Sequence, residues 1–131
     1  DPSLRAIAIE ARADRAARIA RNAAAFGVPG LAVVEGTAPA ALVGLPPPQA
    51  IFVGGGGRDP RVLDAVIAAL PTGGRLVANA VTLETEAALL ARAAALGGDL
   101  VRLAVSRAEP IAGTTGWRPA FPVTQWIWTK P

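Results

Sequence analysis

The chain alternates between short runs of apolar residues and longer stretches in which apolar residues recur every three or four positions. Short apolar runs are typical of buried strands, and the wider spacing predicts amphipathic helices. We predict strands at residues 4–10, 31–35, 50–53 and 75–80. We predict helices at residues 14–26, 39–43, 60–70 and 82–96, of which the second is short. Four strand–helix repeats predict an α/β fold with a parallel sheet and helices on both faces.

Two of the predicted helices begin with capping signals. Asp59 is suited to the N-cap position, and Pro60 is suited to the first helical position after it. Thr82 can cap the last helix, where Glu84 and Glu86 place negative charge in the first turn and complement the helix dipole. These signals predict where both helices start.

The last third of the chain has a different pattern. Residues 100–107 and 123–129 are predicted to be extended, and without a helix between them they should pair as an antiparallel hairpin. Trp126 and Trp128 share one face of the second strand, which favours a core or subunit interface over a ligand cage. Residues 109–122 are rich in Gly, Thr and Pro without a clear period, so we predict a loop. Trp117 in this segment either packs under its own loop or contacts a substrate.

The composition narrows the possible chemistry. A length of 131 residues suggests one domain, residues 1–131. His and Cys are absent, which excludes a Ser–His–Asp triad, a Cys nucleophile, disulfides and the usual zinc sites. We therefore expect no metal. Met is absent too, so we expect the sequence to begin inside a longer chain.

The charge balance is basic, with a net charge of +3 and arginine as twelve of the thirteen cationic residues. This reflects either an arginine-rich composition or an anionic partner. Arg15, Arg18 and Arg21 lie off the apolar stripe of their helix and are expected to be a solvated face. No apolar run approaches the roughly 18 residues that span a membrane, and no signal peptide is visible. We expect a cytoplasmic protein without a membrane partner.

Polar or glycine-rich segments follow the first four predicted strands. They are Glu10, residues 36–38, residues 54–57 and Asn79. Ligands of open α/β sheets bind outside the carboxyl ends of the strands. Glu10 is either an acceptor for the ribose hydroxyls of a nucleoside cofactor or a solvated acid. The four glycines either let backbone approach a ligand or form a flexible turn; they are not a phosphate-binding loop, because Arg58 and Asp59 stand where Lys and Ser or Thr are required.

The order of these segments resembles a known enzyme family. The strand ending at Glu10, the turn 36–39, the strand end 51–55 and the segment 70–77 together resemble the class I S-adenosylmethionine-dependent methyltransferases. Residues 79–85, the glycine cluster and the Gly113–Thr114 segment resemble, within them, the decarboxylating methyltransferases of corrin biosynthesis, in particular the C-terminal domain of the precorrin-6Y C5,15-methyltransferases. The resemblance covers nearly the whole chain. It departs from the family at the start, where the N-terminal strand and the glycine loop that holds the methionine end of the cofactor are absent.

The resemblance implies a Rossmann-like sheet, mostly parallel with an antiparallel C-terminal hairpin. It implies S-adenosyl-L-methionine as cofactor, an anionic reduced tetrapyrrole (a precorrin) as substrate, and methylation of C15 with decarboxylation of the C12 acetate. It also implies a homo-oligomer, often a tetramer, and a partner domain that methylates C5. The implied cofactor-binding residues are Glu10 at the ribose, Thr37 and Ala38 at the adenine, and Gly54 and Gly55 at the methyl-transfer region. The implied substrate-cleft residues are Asn79, Thr82, Glu84, Gly113 and Thr114.

Charge adds a hypothesis about the substrate. Arg58, Arg107 and Arg118 are candidates for pairing with substrate carboxylates, because guanidinium groups bind carboxylates bidentately. No catalytic residue is assigned. Two alternatives stay open: a methyltransferase acting on RNA or protein, and a nucleotide-binding module without catalysis. Against RNA, the arginines are scattered and no aromatic-rich basic stripe is present, so we expect no nucleic-acid partner.

Overall fold

The computed structural model describes residues 4–131. The strands are β1 (Ile7–Glu10), β2 (Ala32–Glu35), β3 (Ala50–Val53), β4 (Arg75–Ala80), β5 (Asp99–Leu103), β6 (Ser106–Ile111), β7 (Thr114–Pro119) and β8 (Val123–Thr129). The helices are α1 (Ala13–Ala25), α2 (Pro60–Ala69) and α3 (Leu83–Leu96), with a single 3-10 turn at Ala40–Leu42. The strand and helix order predicted through residue 96 is confirmed, and the short second helix is this 3-10 turn.

The chain divides into two compact units, Asp1–Leu45 and Pro46–Pro131. In the first unit, β1 and β2 pair in parallel, with Glu10 opposite Glu35 at their carboxyl ends. Ala16 and Ala23 are the buried positions of α1. The expectation that residues 1–131 form one domain stays a prediction.

The second unit contains a four-stranded sheet in the order β3-β4-β8-β5. β3 and β4 are parallel, and β8 runs antiparallel between β4 and β5. The antiparallel pairing predicted for the two extended segments of the last third is therefore confirmed. β8 is also hydrogen-bonded to β4, so it lies inside the sheet.

The core of the second unit lies on the sheet face that carries Leu76, Trp126 and Trp128, all at most 5% exposed. Both indole N–H groups donate to carbonyls at the end of α3, Trp126 to Gly97 at 2.9 Å and Trp128 to Leu96 at 3.1 Å. Buried indoles need such acceptors. The two tryptophans are thus core residues, as the spacing of two favoured.

The prediction of a loop at residues 109–122 is wrong. β6 and β7 form a separate antiparallel two-stranded sheet, hereafter the hairpin, with Ile111 opposite Thr114 beside the turn. Ala112 and Gly113 form the turn with φ of 46° and 81°. Two consecutive residues with positive φ are typical of the tight turns whose twist matches that of paired strands. Because neither face of the hairpin is deeply buried, its strands lack the apolar alternation by which strands are recognised.

Among residues 4–131, no helix is long and apolar enough to cross a membrane.

Candidate functional site

Three of the expected cofactor-binding residues lie at one edge of the first unit. Glu10 ends β1, and Thr37 and Ala38 follow β2, the neighbouring strand. The N–H of Gly36 donates to the backbone oxygen of Glu10 at 3.0 Å, which holds the start of the turn against the end of β1. The 3-10 turn continues it, since the N–H of Ala41 donates to the oxygen of Thr37 at 3.0 Å. The structure therefore brings these three residues together.

The carboxylate of Glu10 is half-buried and oriented by its own chain. Its Oε1 accepts the backbone N–H of Arg12 at 3.0 Å. In the part of the chain that the structure describes, no cationic side chain forms an ion pair with it. A carboxylate that is held in place and not neutralised can accept hydrogen bonds from a pair of ligand hydroxyls.

The glycine segment after β3 divides into an exposed part and a buried part. Gly54 and Gly55 are exposed, whereas Gly57 is buried against the start of α3. A Cβ on Gly57 would lie 3.3 Å from the Thr85 methyl group, so glycine favours the close contact with α3. A Cβ on Gly55 would meet nothing within 4 Å, which leaves its backbone open to a ligand.

Four of the expected substrate-binding residues lie around the carboxyl end of β4 and the start of α3. They are Asn79, Thr82, Glu84 and Arg58. Asn79 accepts a hydrogen bond from Gln125 on β8 at 2.9 Å. The hydroxyl of Thr82 accepts the N–H of Thr85 at 3.4 Å, which confirms Thr82 as the cap of α3.

Glu84 is exposed and held in its ionised form. Its own backbone N–H lowers its pKa most, the Thr82 hydroxyl contributes next, and the positive charge of Arg58 acts in the same direction. The positive charge of Arg58, at the end of the glycine segment, therefore acts on a carboxylate at the start of α3. An ionised carboxylate here can accept hydrogen bonds but is not a ready proton donor.

The remaining expected substrate-binding residues lie on the hairpin. They are Arg107, Gly113, Thr114 and Arg118. The hydroxyl of Thr114 donates to the oxygen of Ile111 at 2.7 Å and closes the turn. Arg107 lies directly opposite Arg118, so the two guanidinium groups project from the same face. Arg118 pairs with Glu109 at 2.6 Å, which neutralises part of this charge.

Trp117 is 74% exposed, so the reading in which it packs under its own segment is wrong. It lies on β7 of the hairpin, and nearly all residues of both hairpin strands are exposed.

Two groups of residues near these positions were not identified from the sequence. The first is a polar cluster in which Glu86 accepts the hydroxyl hydrogen of Thr124 at 2.9 Å and forms an ion pair with Arg102. The second is a set of exposed apolar side chains, Phe52, Val81 and Leu83, at 59–79% exposure beside Gly54 and Thr82. Sequence patterns identify apolar residues but do not show which of them stay exposed. The cluster joins α3, β5 and β8, which come together only in the folded sheet.

Among residues 4–131, no three metal-ligating side chains lie together. The expectation of no metal stays a prediction.

The comparisons with known proteins agree with this fold. A Rossmann-like sheet of this kind is shared with solved methyltransferases that are only 12–19% identical, at TM-scores of 0.61–0.66, which defines the class of fold. The model of the precorrin methyltransferase domain matches residues 1–130, and the chain belongs to that family.

Individual relatives have names that agree with this family. The chain is 64% identical over 130 residues to a precorrin-6Y C(5,15)-methyltransferase (decarboxylating) of a Sinorhizobium species, covering 99% of this chain and 32% of the relative. The C-terminal domain of the Rhodobacter capsulatus precorrin-6Y C5,15-methyltransferase is 45% identical with a TM-score of 0.89, over 96% of this chain and 68% of that one. The precorrin 8W decarboxylase of Methanobacterium thermoautotrophicum is 27% identical with a TM-score of 0.81, over 97% and 70%. The chain spans about a third of the length of the curated relatives it matches.

Proposed function

We propose that this chain is the methyltransferase part of a decarboxylating enzyme of corrin (cobalamin) biosynthesis, which methylates C15 of a precorrin and removes the C12 acetate carboxyl as CO2. Its membership of the precorrin methyltransferase family supports the reaction class. The observation that carries the proposal is the edge of the first unit, where an oriented carboxylate lies beside the turn after β2. Carboxylates in this position of α/β folds bind ribose hydroxyls.

S-adenosyl-L-methionine, the proposed cofactor, supplies an activated methyl group when bound. Glu10 would accept the ribose hydroxyls, and Thr37 and Ala38 would lie beside the adenine. Gly54 and Gly55 would border the methyl-transfer region. At Gly55 the absence of a side chain leaves open space for the reacting groups, whereas a Cβ on Gly54 would lie 2.8 Å from the Phe52 ring.

The substrate would be an anionic tetrapyrrole. Asn79, Thr82, Glu84, Gly113 and Thr114 are the proposed cleft residues, with Arg58, Arg107 and Arg118 pairing with substrate carboxylates. The exposed apolar side chains of Phe52, Val81 and Leu83 offer a surface suited to a flat macrocycle. Because Arg118 already pairs with Glu109, we expect Arg107 to contribute more than Arg118 to substrate affinity.

Positioning supplies the rate in this proposal. Holding two reactants in line contributes about 7–11 kcal/mol in favourable cases. The chain contains no His or Cys to act as base or nucleophile. Glu84 stays ionised and would orient a substrate group without delivering a proton. Loss of CO2 then depends on the electron-accepting macrocycle and on an apolar surface that excludes water.

The assembly and location are proposed with the reaction. The relatives are about three times as long, which supports a covalent partner domain for the C5 methylation. The exposure of Trp117, Ile111 and Phe121, at 55–82%, supports a homo-oligomer, proposed as a tetramer, in which these side chains become covered. A cytoplasmic location follows from the proposed methyl donor, which is a cytoplasmic metabolite.

Calorimetric titration of the full chain with S-adenosylhomocysteine tests the cofactor proposal. Glu10→Ala should weaken binding by about 1–3 kcal/mol, the cost of leaving ligand hydroxyls without their acceptor. Asp99→Ala, which removes an exposed acid on β5, is the matched control and should leave affinity unchanged. Equal affinities in both variants would overturn the ribose assignment. Binding of NAD in place of S-adenosylhomocysteine would identify a nucleotide-binding module of another kind.

Binding of a tetracarboxylate porphyrin as a substrate analogue tests the arginine assignment. Arg107→Gln should weaken binding and flatten its salt dependence, and Arg58→Gln should do so as well. Unchanged affinity and salt dependence in the triple variant with Arg118→Gln would refute the assignment. A steep salt dependence of binding to single-stranded RNA would favour the RNA alternative.

A further inference from the structure

The side-chain amides of Asn79 and Gln125 lie next to each other near the carboxyl end of β4. The two residues are directly opposite in the antiparallel pairing of β4 with β8. Both are half-buried and alternate with buried core residues, so they lie on the sheet face opposite the buried tryptophans. The exposed ring of Phe52 belongs to the same face, because Phe52 is opposite Val77. The amide pair is therefore part of the proposed substrate surface, which includes Asn79 and Phe52.

One hydrogen bond fixes how the Asn79 amide is turned. Nε2 of Gln125 donates to Oδ1 of Asn79 at 2.9 Å. The acceptor oxygen and the donor nitrogen of an amide lie on different branches, so the bond to Oδ1 turns Nδ2 of Asn79 away from Gln125. Among residues 4–131, neither amide makes another side-chain hydrogen bond, and neither leaves a buried polar atom without a partner. The N–H groups of Asn79 are therefore open to a ligand.

No other neighbour across the sheet fixes this orientation. Rotation about the last side-chain bond of asparagine exchanges its oxygen and nitrogen within nearly the same space. On the other side of Gln125, the opposite residue on β5 is Val101, which is apolar and cannot compete for the amide. Gln125 is thus the residue that decides which end of the Asn79 amide faces a ligand.

We propose that Gln125 is a positioning residue of the substrate site, which holds the N–H groups of Asn79 towards a hydrogen-bond acceptor of the substrate. The inference rests on the proposed function, in which the substrate carries carboxylates. A carboxylate oxygen accepts a hydrogen bond from such a donor, whereas the oxygen of a reversed Asn79 would repel it. Gln125 acts in this way through Asn79, without contacting the substrate itself.

A double-mutant cycle with the tetracarboxylate porphyrin tests the positioning role. Gln125→Met keeps the length of the side chain and removes its donor, so it should weaken porphyrin binding about threefold to tenfold. Asn79→Ala removes the group that contacts the ligand and should weaken binding at least as much. In the Asn79→Ala background, Gln125→Met should have no further effect. Gln49→Met, the same change at an exposed residue before β3, is the matched control without effect.

Two results of the cycle would overturn the proposal. Equal weakening by Gln125→Met in both backgrounds would show that Gln125 acts on the substrate or on the fold independently of Asn79. Unchanged binding in Gln125→Met alone would show that the orientation of Asn79 has no effect on the ligand. Titration of each variant with S-adenosylhomocysteine monitors folding, and the affinity should equal that of the wild type.

The hydrogen bond itself can be measured in the wild-type chain without a ligand. Scalar coupling across the bond, between Nε2 of Gln125 and Cγ of Asn79, should be detected by NMR of the isotopically labelled protein. Absence of the coupling would overturn the positioning role whatever the porphyrin result. A wild-type chain that shows the coupling but binds no porphyrin would overturn the proposed substrate, and with it the role of Asn79, while leaving the amide pair in place.

Discussion

The four-stranded sheet and the hairpin are both β structure in the same unit, yet different physical factors hold them. The sheet buries Leu76, Trp126 and Trp128 beneath helices, so most of its stability comes from apolar area removed from water. In the hairpin, the side chains of Ile111 and Trp117 are more than half exposed. The hairpin is held together by the backbone hydrogen bonds between its two strands, by its turn and by the Arg118–Glu109 ion pair. Isolated two-stranded sheets are marginal in water. Equivalent substitutions should therefore be costly in the sheet and cheap in the hairpin.

The largest expected difference concerns the tryptophans. Trp126 is completely buried and its indole N–H is hydrogen-bonded, so Trp126→Ala should lower the free energy of unfolding by about 3–5 kcal/mol. Trp117 is 74% exposed, so Trp117→Ala should change it by less than about 0.5 kcal/mol in the monomer. Urea unfolding followed by far-UV circular dichroism measures both. Similar losses in the two variants would show that the hairpin packs as part of the core. If Trp126→Ala does not fold, Trp126→Phe should still lose more than Trp117→Ala.

The same contrast explains what was predictable from the sequence. Residues 75–80 were located correctly because every second residue of β4 is buried and apolar. Residues 50–53 were located because β3 is apolar throughout, although Val53 is its only buried residue and Phe52 is exposed. The caps at Asp59 and Thr82 were predictable because they are local, within three residues of the N–H groups they accept. The hairpin strands were missed because they carry no such apolar pattern. Only the turn at Ala112–Gly113 marked them, and alanine is an uncommon residue at positive φ.

The candidate site shows the same division. The apolar pattern of the sequence predicts where the strands end. It therefore predicts that Glu10, Thr37 and Asn79 lie at or just after the carboxyl ends of strands, where ligands bind in α/β sheets. The partners of those residues do not follow from it. The Gln125–Asn79 bond spans 46 positions, and the Glu86–Thr124 bond spans 38. Such contacts depend on β8 lying beside β4, and no local signal in residues 123–129 specifies that neighbour.

The second prediction compares two glycines at which an added Cβ would meet a neighbouring atom at the same short distance. A Cβ on Gly98 would lie 2.5 Å from the backbone oxygen of Ile127, and a Cβ on Gly116 would lie 2.5 Å from Cδ1 of Ile111. The oxygen belongs to a central strand and cannot move, and Gly98 also has a φ of 95°. Gly98→Ala should therefore cost about 2–4 kcal/mol from overpacking and strain.

The Ile111 side chain is 55% exposed and can rotate away, so Gly116→Ala should cost less than about 0.5 kcal/mol. Thermal unfolding of both variants under identical conditions tests the pair. A larger loss for Gly116→Ala would contradict the view of the hairpin as loosely packed.

The third prediction concerns the end of β8. Lys130 donates to the carbonyls at the end of α2, and its backbone bonds to Gly73 and Gly74 fasten the strand to the turn before β4. Lys130→Met keeps the apolar stem but leaves those carbonyls without a donor, and should cost about 1–3 kcal/mol. Thr114→Val removes the hydroxyl bond at the hairpin turn and should cost less than about 0.5 kcal/mol because water replaces it. Chemical denaturation measures the free energy of unfolding of both variants. Equal losses would show that the hydrogen bond at the hairpin turn contributes as much stability as those at the end of α2.

The smallest expected effect is a pH dependence at the start of α2, in the layer that covers the sheet. The Arg61 side chain lowers the pKa of Asp59 most, and the Arg61 backbone N–H adds to the effect. In the unfolded chain the carboxyl titrates near its ordinary value of 3.8. Because the folded value is lower, the folded state binds fewer protons between the two values, and stability rises with pH there. The contribution is complete above pH 3.8 and is lost as pH falls through the folded pKa.

Asp59→Asn separates the titration from the cap itself. Asparagine caps helices about as well as aspartate, so stability near neutral pH should change little, while the decline in acid should become shallower. Urea midpoints measured at several pH values from about 2 to 6 report this slope. Asp59→Ala removes the cap as well and should lower the midpoint across the whole range. An identical acid slope in the wild type and Asp59→Asn would show that the Arg61 contact does not persist in solution, and that the start of α2 is as loosely held as the hairpin.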